Sequence, residues 1–429
     1  MVRVQKQLLE QPIFMPIKAN HFFPLLRTSL PVMVGACLAL QTAVAQENSA
    51  NPAASDAVSA DAAPVAARDP GSPELQAAQA DLREHLKKMR QMQVEYHLSE
   101  TNATDKKFRR TWAELCDQGR PFAAKANVEM LKKFKNDPKS NVELGKFLHD
   151  LAERNTADSR FEGTLDVALA LLEAGVSSKL LPEMIAFSAI SENKFAIAKP
   201  WIEKHFAESE KPKQVLGVLY DQLENLAKDW EEELRMREED AKGEPLPQVS
   251  ILTTKGELLV ELFENQAPDS VGNFIALVED GFFDGLRFHR VLEHFMAQTG
   301  CPDGDGTGGP GYAIYGEAKK PNARKFFRGS LGVALAGGNP DSGGSQFFIC
   351  FLPTFSLNGQ YTSFGRVVSG IEVLGCLQKV NPEEKKKEGE IPPVLDEIIE
   401  AKVVRKRNHE YKPTKAPIPK ATSHDGHNH

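Results

Sequence analysis

Four short stretches of the 429-residue sequence hold residue types that could act together on a bound ligand. Phe288-His289-Arg290-Val291 brings a cation, and Phe295-Met296-Ala297-Gln298 follows with two large apolar side chains and an amide. Gly343-Gly344-Ser345-Gln346-Phe347-Phe348 and Leu357-Asn358-Gly359-Gln360-Tyr361 repeat the mixture. An arginine keeps its charge at every working pH and presents a planar fork of donors. Beside an apolar pocket it favours any state of the ligand that turns electron density towards it. Phe295, Met296, Phe348 and Leu357 are the candidate pocket walls, and Tyr361 offers a ring edge with a hydroxyl. Gln298 and Gln346 can hydrogen-bond amides of an extended ligand, and the Ala336 main chain can pair with one. Taken singly, Phe295, Met296 and Phe348 are ordinary core residue types and Arg290 an ordinary surface charge. The joint pattern is what marks them.

Such a set needs a rigid frame. Val249 to Leu262 alternates as a hairpin turning at Lys255-Gly256. Pro268–Asp280 has the spacing of a helix, with Val271, Phe274, Ile275 and Val278 on one face. Short strands and glycine-rich loops continue to about Arg407, and 19 of the 31 glycines lie between Gly281 and Gly375. These elements predict an α+β domain with a closed or sandwiched sheet.

Within this domain, Phe288-His289-Arg290-Val291, Phe295-Met296-Ala297-Gln298-Thr299-Gly300, Gly306-Thr307-Gly308-Gly309 and Ile314-Tyr315-Gly316-Glu317 come in order. Gly343 to Ile349 and Leu357 to Gly365 follow. In this order the strings resemble cyclophilin-type peptidyl-prolyl isomerases over residues 248–407, more than a third of the chain. The resemblance implies a closed antiparallel eight-stranded β-barrel with two capping helices and a substrate groove on one outer face. The second helix is expected near Gly370–Leu377 and the closing strand at Ile398–Arg405.

The resemblance also implies an enzyme, a peptidyl-prolyl cis-trans isomerase. Arg290 would be catalytic, and Phe295, Met296, Gln298, Ala336, Gln346, Phe348, Leu357 and Tyr361 would bind substrate, with no cofactor and no metal. Turning an X-Pro bond means breaking amide resonance, a barrier of ~18–20 kcal/mol. No proton need move, so His289 reads as structural. Two departures from the family pattern stand out. Gly337 follows the groove alanine where Asn is frequent, and Phe355-Ser356 stands where Trp is frequent, Ser356 in its place. That Trp supports cyclosporin binding in the family, so weak inhibition is expected here. Tyr361 in place of a frequent His is milder. A rival reading is a proline-peptide-binding chaperone or scaffold with little turnover.

Upstream the chain is built differently, with five glycines between Ser72 and Lys242. Residues 1–45 combine Arg3, Lys6, Lys18 and Arg27 with the apolar run Leu30–Leu40 and Ala43-Val44-Ala45, the layout of a secretory signal peptide. Residues 46–73, mostly Ala, Asp, Ser and Pro, predict a disordered linker. Residues 74–240 predict an all-α module of helical hairpins, solenoid-like. Its helices are expected from Leu75 to Tyr96 and at Phe108–Cys116 (stopped by Gly119 and Pro121), Val142–Leu151, Leu165–Glu173, Leu180–Ile190 and Val215–Met236. No catalytic constellation lies there, which leaves a dimerisation, substrate-presenting or partner-docking role.

The chain carries 52 Lys and Arg against 59 Asp and Glu, a net charge of −7, which argues against a nucleic-acid surface. The expected partners are unfolded or extended proline-containing polypeptides outside the cytoplasm, periplasmic or otherwise extracytoplasmic, with an envelope protein as a further candidate through residues 74–240. Cys116, Cys301, Cys350 and Cys376 match neither a metal knuckle nor a redox pair. Asp303 to Gly308 imitates a calcium loop, but position twelve is Ile314, not Glu. Asn102-Ala103-Thr104 is a weak glycosylation match. Residues 408–429, ending in His424, His427 and His429, are expected to form a disordered, His-containing tail.

Overall fold

A computed structural model describes residues 71–98, 106–384 and 392–417. The signal segment, nearly all of the 46–73 linker, Asn102 and the three terminal histidines lie outside these residues. Among the described residues, no helix is long and apolar enough to cross a membrane.

The first half is helical: α1 (Pro73–Leu98), α2 (Lys106–Asn136), α3 (Val142–Ala157), α4 (Thr164–Glu173), α5 (Leu181–Ser191), α6 (Phe195–Glu208), α7 (Gln214–Tyr220) and α8 (Leu223–Lys242). Leu75, Leu82, Leu86 and Met89 form the buried stripe of α1, packed on Trp112, Cys116 and Met130 of α2. Two helix expectations need correction, and one helix is new. Helix α2 runs straight through Gly119 and Pro121. Pro121 removes one helical hydrogen bond. Neighbouring contacts hold the turn: Arg120 donates to the Lys255 carbonyl at 3.0 Å and pairs with Glu372 at 3.3 Å. The expected 215–236 helix is two, α7 and α8, broken at Asp221-Gln222. Helix α6, with Pro200 inside it, was not anticipated.

The second half is a β domain: β1 (Gln248–Thr253), β2 (Gly256–Leu262), α9 (Pro268–Glu279), β3 (Arg290–Leu292), β4 (Met296–Thr299), β5 (Ala313–Ile314), β6 (Ser330–Val333), β7 (Phe347–Cys350), β8 (Ser363–Ser369), α10 (Glu372–Cys376), β9 (Ile398–Arg405) and β10 (Lys415–Ala416). The β1–β2 turn is Thr254-Lys255, one residue earlier than expected. Eight strands form one antiparallel sheet in the order β3-β4-β7-β6-β8-β2-β1-β9. It wraps a core that includes Val249, Val260, Val271, Phe274, Phe347 and Phe364.

The closed barrel is not what the ladders describe. The series is open between β3 and β9, and the edges meet only around the isolated bridge Arg287–Glu397, with Phe288 N–H donating to the Asp396 carbonyl at 2.8 Å. The strand at Ile398–Arg405 is present, as an edge paired with β1. The tail expectation also changes. Residues 408–417 pack on the domain: Tyr411 is buried, its hydroxyl donates to Glu264 at 2.9 Å, and β10 pairs with β5. Burial pushes the Tyr411 phenol up to about 12.

The two halves are fused. Arg110 of α2 reaches Glu400 at 2.6 Å and Lys106 reaches Asp284 at 3.0 Å. Trp230 of α8 meets Phe327 edge-on with centroids 5.0 Å apart, and Phe327 and Leu352 belong to the helical core. Cys116, Cys301, Cys350 and Cys376 are all free thiols.

Candidate active site

Strand pairing places the key side chains. Arg290 lies opposite Gln298 in the β3–β4 ladder, and Gln298 lies opposite Phe348 in the β4–β7 ladder. Residues directly opposite in antiparallel strands share a face. Arg290, Gln298 and Phe348 therefore stand in a row, as do Leu292, Met296 and Cys350. The alternate residues Val291, Ala297, Phe347 and Ile349 point into the main core.

On the row's face a second apolar cluster forms. Met296, Phe326, Phe348 and Cys350 are buried, with Leu292, Phe295, Ala334, Leu357 and Tyr361 partly buried around them. Phe326 stacks on Phe348 with centroids 5.5 Å apart, and Tyr361 meets Phe348 edge-on at 5.8 Å. The floor depends on Gly332, which pairs with Phe348: a Cβ there would lie 2.2 Å from Phe348 Cζ.

Arg290 stands at the edge of this pocket. Its guanidinium carbon is 6.0 Å from the Phe295 ring centroid, its Nε is buried without a hydrogen-bond partner, and an outer nitrogen touches the exposed Glu383 at 3.4 Å. Gln298 Nε2 donates to Gln346 Oε1 at 2.9 Å. Gln346 Nε2 in turn donates to the Gly306 and Gly308 carbonyls at 2.8 and 2.9 Å. The Asp303–Gly308 loop is thus a clamp for Gln346, and Asp305 closes it by accepting from the Thr307 N–H and hydroxyl at 2.8 and 2.7 Å. His289 is buried, and burial pushes its imidazole below the ordinary range, so it stays neutral.

The structure brings seven of the nine expected residues, Arg290, Phe295, Met296, Gln298, Phe348, Leu357 and Tyr361, around one pocket, with Gln346 joined through Gln298. Ala336 lies apart on an exposed loop, its N–H donated to Ser342 Oγ at 2.8 Å, so that group is already engaged. Gly337 has a positive φ of 59° with open space around it. Ser356 is exposed, while Phe355 packs against the helical core. Phe326 was missed from sequence. The adjacent Phe326-Phe327 pair just ahead of β6 was the available signal, and the two rings go to opposite sides, Phe326 to the pocket cluster and Phe327 to the helical core.

Residues 248–403 match the family model described as cyclophilin type peptidyl-prolyl cis-trans isomerase. A Helicobacter pylori peptidyl-prolyl cis-trans isomerase is 49% identical over 132 residues, 30% of this chain and 78% of that protein. The Bacillus subtilis peptidyl-prolyl cis-trans isomerase B is 48% identical over 122 residues, 28% of this chain and 83% of that protein. A solved Cryptosporidium parvum cyclophilin type isomerase is 32% identical, with 37% of this chain and 99% of that one covered at a TM-score of 0.32. A pocket of this make-up, on a domain that covers most of such relatives at nearly half identity, places the chain in the cyclophilin-type peptidyl-prolyl cis-trans isomerase family, an enzyme of that activity.

Proposed function

We propose that this isomerase accelerates X-Pro isomerisation in exported proteins as they fold, through electrostatic stabilisation by Arg290 of the twisted amide above the apolar pocket. The observation that carries the mechanism is the position of Arg290, at the pocket edge with its Nε unpaired and buried. A proline ring fits among Phe295, Met296, Phe348, Leu357 and Tyr361, which keep water from the ring. As the bond twists, the nitrogen loses conjugation and its lone pair becomes basic. A fixed cation then stabilises the twisted state more than either planar one, and this difference is what accelerates the turn. Gln298 and Gln346, joined to each other, hold the flanking amides in register.

The export reading rests on the charged, apolar and small-residue order of residues 1–45. It suits a compartment where X-Pro isomerisation limits folding over roughly 10–100 s. An envelope partner bound through residues 74–240 stays part of the reading, on helical faces that the β domain leaves uncovered.

The test is cis-to-trans exchange in a proline tetrapeptide, followed by NMR with the full chain and its Arg290→Ala variant. Exchange accelerated by the parent and reduced by roughly a hundredfold or more in the variant is expected. Equal acceleration by both would remove Arg290 from the mechanism. Peptide binding without acceleration would favour the chaperone reading.

A further inference from the structure

Beside the proline pocket, where the helical module meets the β domain, lies a cleft of about 320 Å³. Its apolar floor is Leu226 of α8 and Phe355, and its rim is Asn225, Lys228 and Asp229 of α8 with Asn358 from the β domain. Gln222 lines it too, accepting from Asn225 Nδ2 at 3.0 Å. We infer that this cleft is a second substrate subsite, in which the helical module binds the stretch of client polypeptide flanking the proline held in the pocket.

The first argument is continuity. Phe355–Leu357 is one turn of 3-10 helix, followed directly by Asn358. Leu357 belongs to the proline pocket, whereas Phe355 and Asn358 line the cleft. Neighbouring Cα atoms are about 3.8 Å apart, so the two sites lie within a few residues of extended chain. For a polypeptide seated by its proline beside Leu357, the cleft is in reach.

The chemistry of the lining is the second argument. Extended chain presents N–H and C=O groups in alternation, with side chains of any type. The rim offers amides that both donate and accept, one cation and one anion, over an apolar floor: contacts suited to main chain and mixed side chains. Asn358 is held for the purpose, since its Oδ1 accepts from the Phe326 N–H at 2.9 Å and its Nδ2 remains to donate. Phe326 is itself stacked on Phe348 in the proline pocket, so one residue, by its ring and its backbone N–H, links the two sites. Partial burial holds the Asp229 carboxyl above its ordinary range, which a passing main-chain N–H would relieve.

The third argument is rigidity. Trp230 on α8 is locked against Phe327, so the cleft wall cannot drift from the pocket. This inference rests on the isomerase reading but concerns a different surface, and one experiment separates the two.

The full chain is compared with Asn225→Trp, which fills the cleft from an exposed helix position, and with Lys228→Glu. Each is assayed by NMR exchange on a proline tetrapeptide and on a longer peptide with the same X-Pro pair extended on both sides. Calorimetry gives the longer peptide's Kd. The parent is expected to favour the longer peptide through KM. Asn225→Trp should cut kcat/KM for the longer peptide by roughly fivefold and leave the tetrapeptide within about twofold, with Lys228→Glu weaker in the same sense. An unchanged tetrapeptide rate also reports that each variant is folded. Equal parental kcat/KM for both peptides, equal losses on both, or a preference that survives Asn225→Trp would overturn the subsite. Should neither peptide turn over, the isomerase reading fails by itself, and the Kd difference between parent and Asn225→Trp still decides the cleft.

Discussion

Arg324 of the β domain and Glu233 of the helical module meet at 3.0 Å with side chains 0% and 4% exposed. Asp240 also accepts from Arg324, and the guanidinium lies 4.5 Å from the Phe263 ring centroid. A cation so enclosed is held only while both carboxylates stay in place. Removing Arg324 strips Asp240 of its guanidinium while Glu233 keeps Arg237 at 2.7 Å, which puts the cost at the lower end of the range for a broken buried pair, about 3 kcal/mol. Arg324→Ala should lower unfolding stability by that order in urea titrations. It should also separate the unfolding of the helical module, followed by Trp fluorescence, from loss of the β domain, followed by isomerase activity. A loss under about 1 kcal/mol with coincident transitions would mean that apolar contacts such as Trp230–Phe327 carry the interface.

That interface is also where sequence reading stopped. The β domain was legible because its residues answer local rules. Val271, Phe274, Ile275 and Val278 keep helical spacing, and all four are buried on α9. Arg290, Gln298 and Phe348 keep the strand alternation that brings them to one face. The helical module was read one helix at a time, and its breaks were misjudged where tertiary contacts prevail. Pro121 sits inside α2 because Arg120 on the same turn is bound to Lys255 and Glu372, more than 130 positions away. Tyr411 looked like tail composition, yet its ring fills a gap in the core and its hydroxyl finds Glu264. Nothing local to residue 411 announces a partner at 264. Closure of the sheet was likewise a matter of which edges meet, and the few backbone hydrogen bonds around the Arg287–Glu397 bridge are contacts that no strand pattern encodes.

Gly332 tests the pocket floor without touching a polar group. Its added Cβ would lie 2.2 Å from Phe348 Cζ and 2.7 Å from Phe326 Cε1, so Gly332→Ala must push the stacked pair apart. Forcing a methyl into a packed site costs about 1–3 kcal/mol. Here part of that cost falls on the proline pocket. KM for a proline tetrapeptide should rise severalfold while kcat changes less. An unaltered KM would show that the floor yields towards the sheet interior.

Ser356 offers a test of what binds at the rim. It is exposed, and its neighbour Phe355 is turned into the helical core, so no aromatic side chain stands at the position where related isomerases often have Trp. Cyclosporin should therefore inhibit this enzyme weakly. Ser356→Trp should tighten inhibition by roughly tenfold or more, the gain of about 1.4 kcal/mol expected of one well-placed aromatic contact. Inhibition titrations on parent and variant check this, and an unchanged inhibition constant would mean that Gly337 is the limiting departure.

His294 ties the pocket to acid stability. It sits at the tip of the β3–β4 hairpin with a positive φ of 58°, beside Phe295 in sequence. Its ring stacks on Phe187 of α5 at 4.2 Å, its Nε2–H donates to the Thr156 carbonyl at 2.9 Å, and its backbone N–H donates to Ser159 Oγ at 2.9 Å. Burial, reinforced by Lys213 and Lys379, pulls the imidazole from 6.5 down to about 4. Between those values the unfolded chain binds a proton that the folded chain refuses, so stability falls as pH drops through that window and the loss is complete below about 4. A shift of this size corresponds to about 3 kcal/mol. His294→Asn keeps a side-chain donor and tolerates the positive φ, yet cannot titrate. The carboxylates common to both proteins titrate alike, so the difference isolates the imidazole. Urea titrations at pH 7 and 4.5 should show the parent losing more stability than His294→Asn, together with an earlier loss of isomerase activity as the hairpin carrying Phe295 is released. Parallel pH profiles would assign the acid response to groups outside this contact.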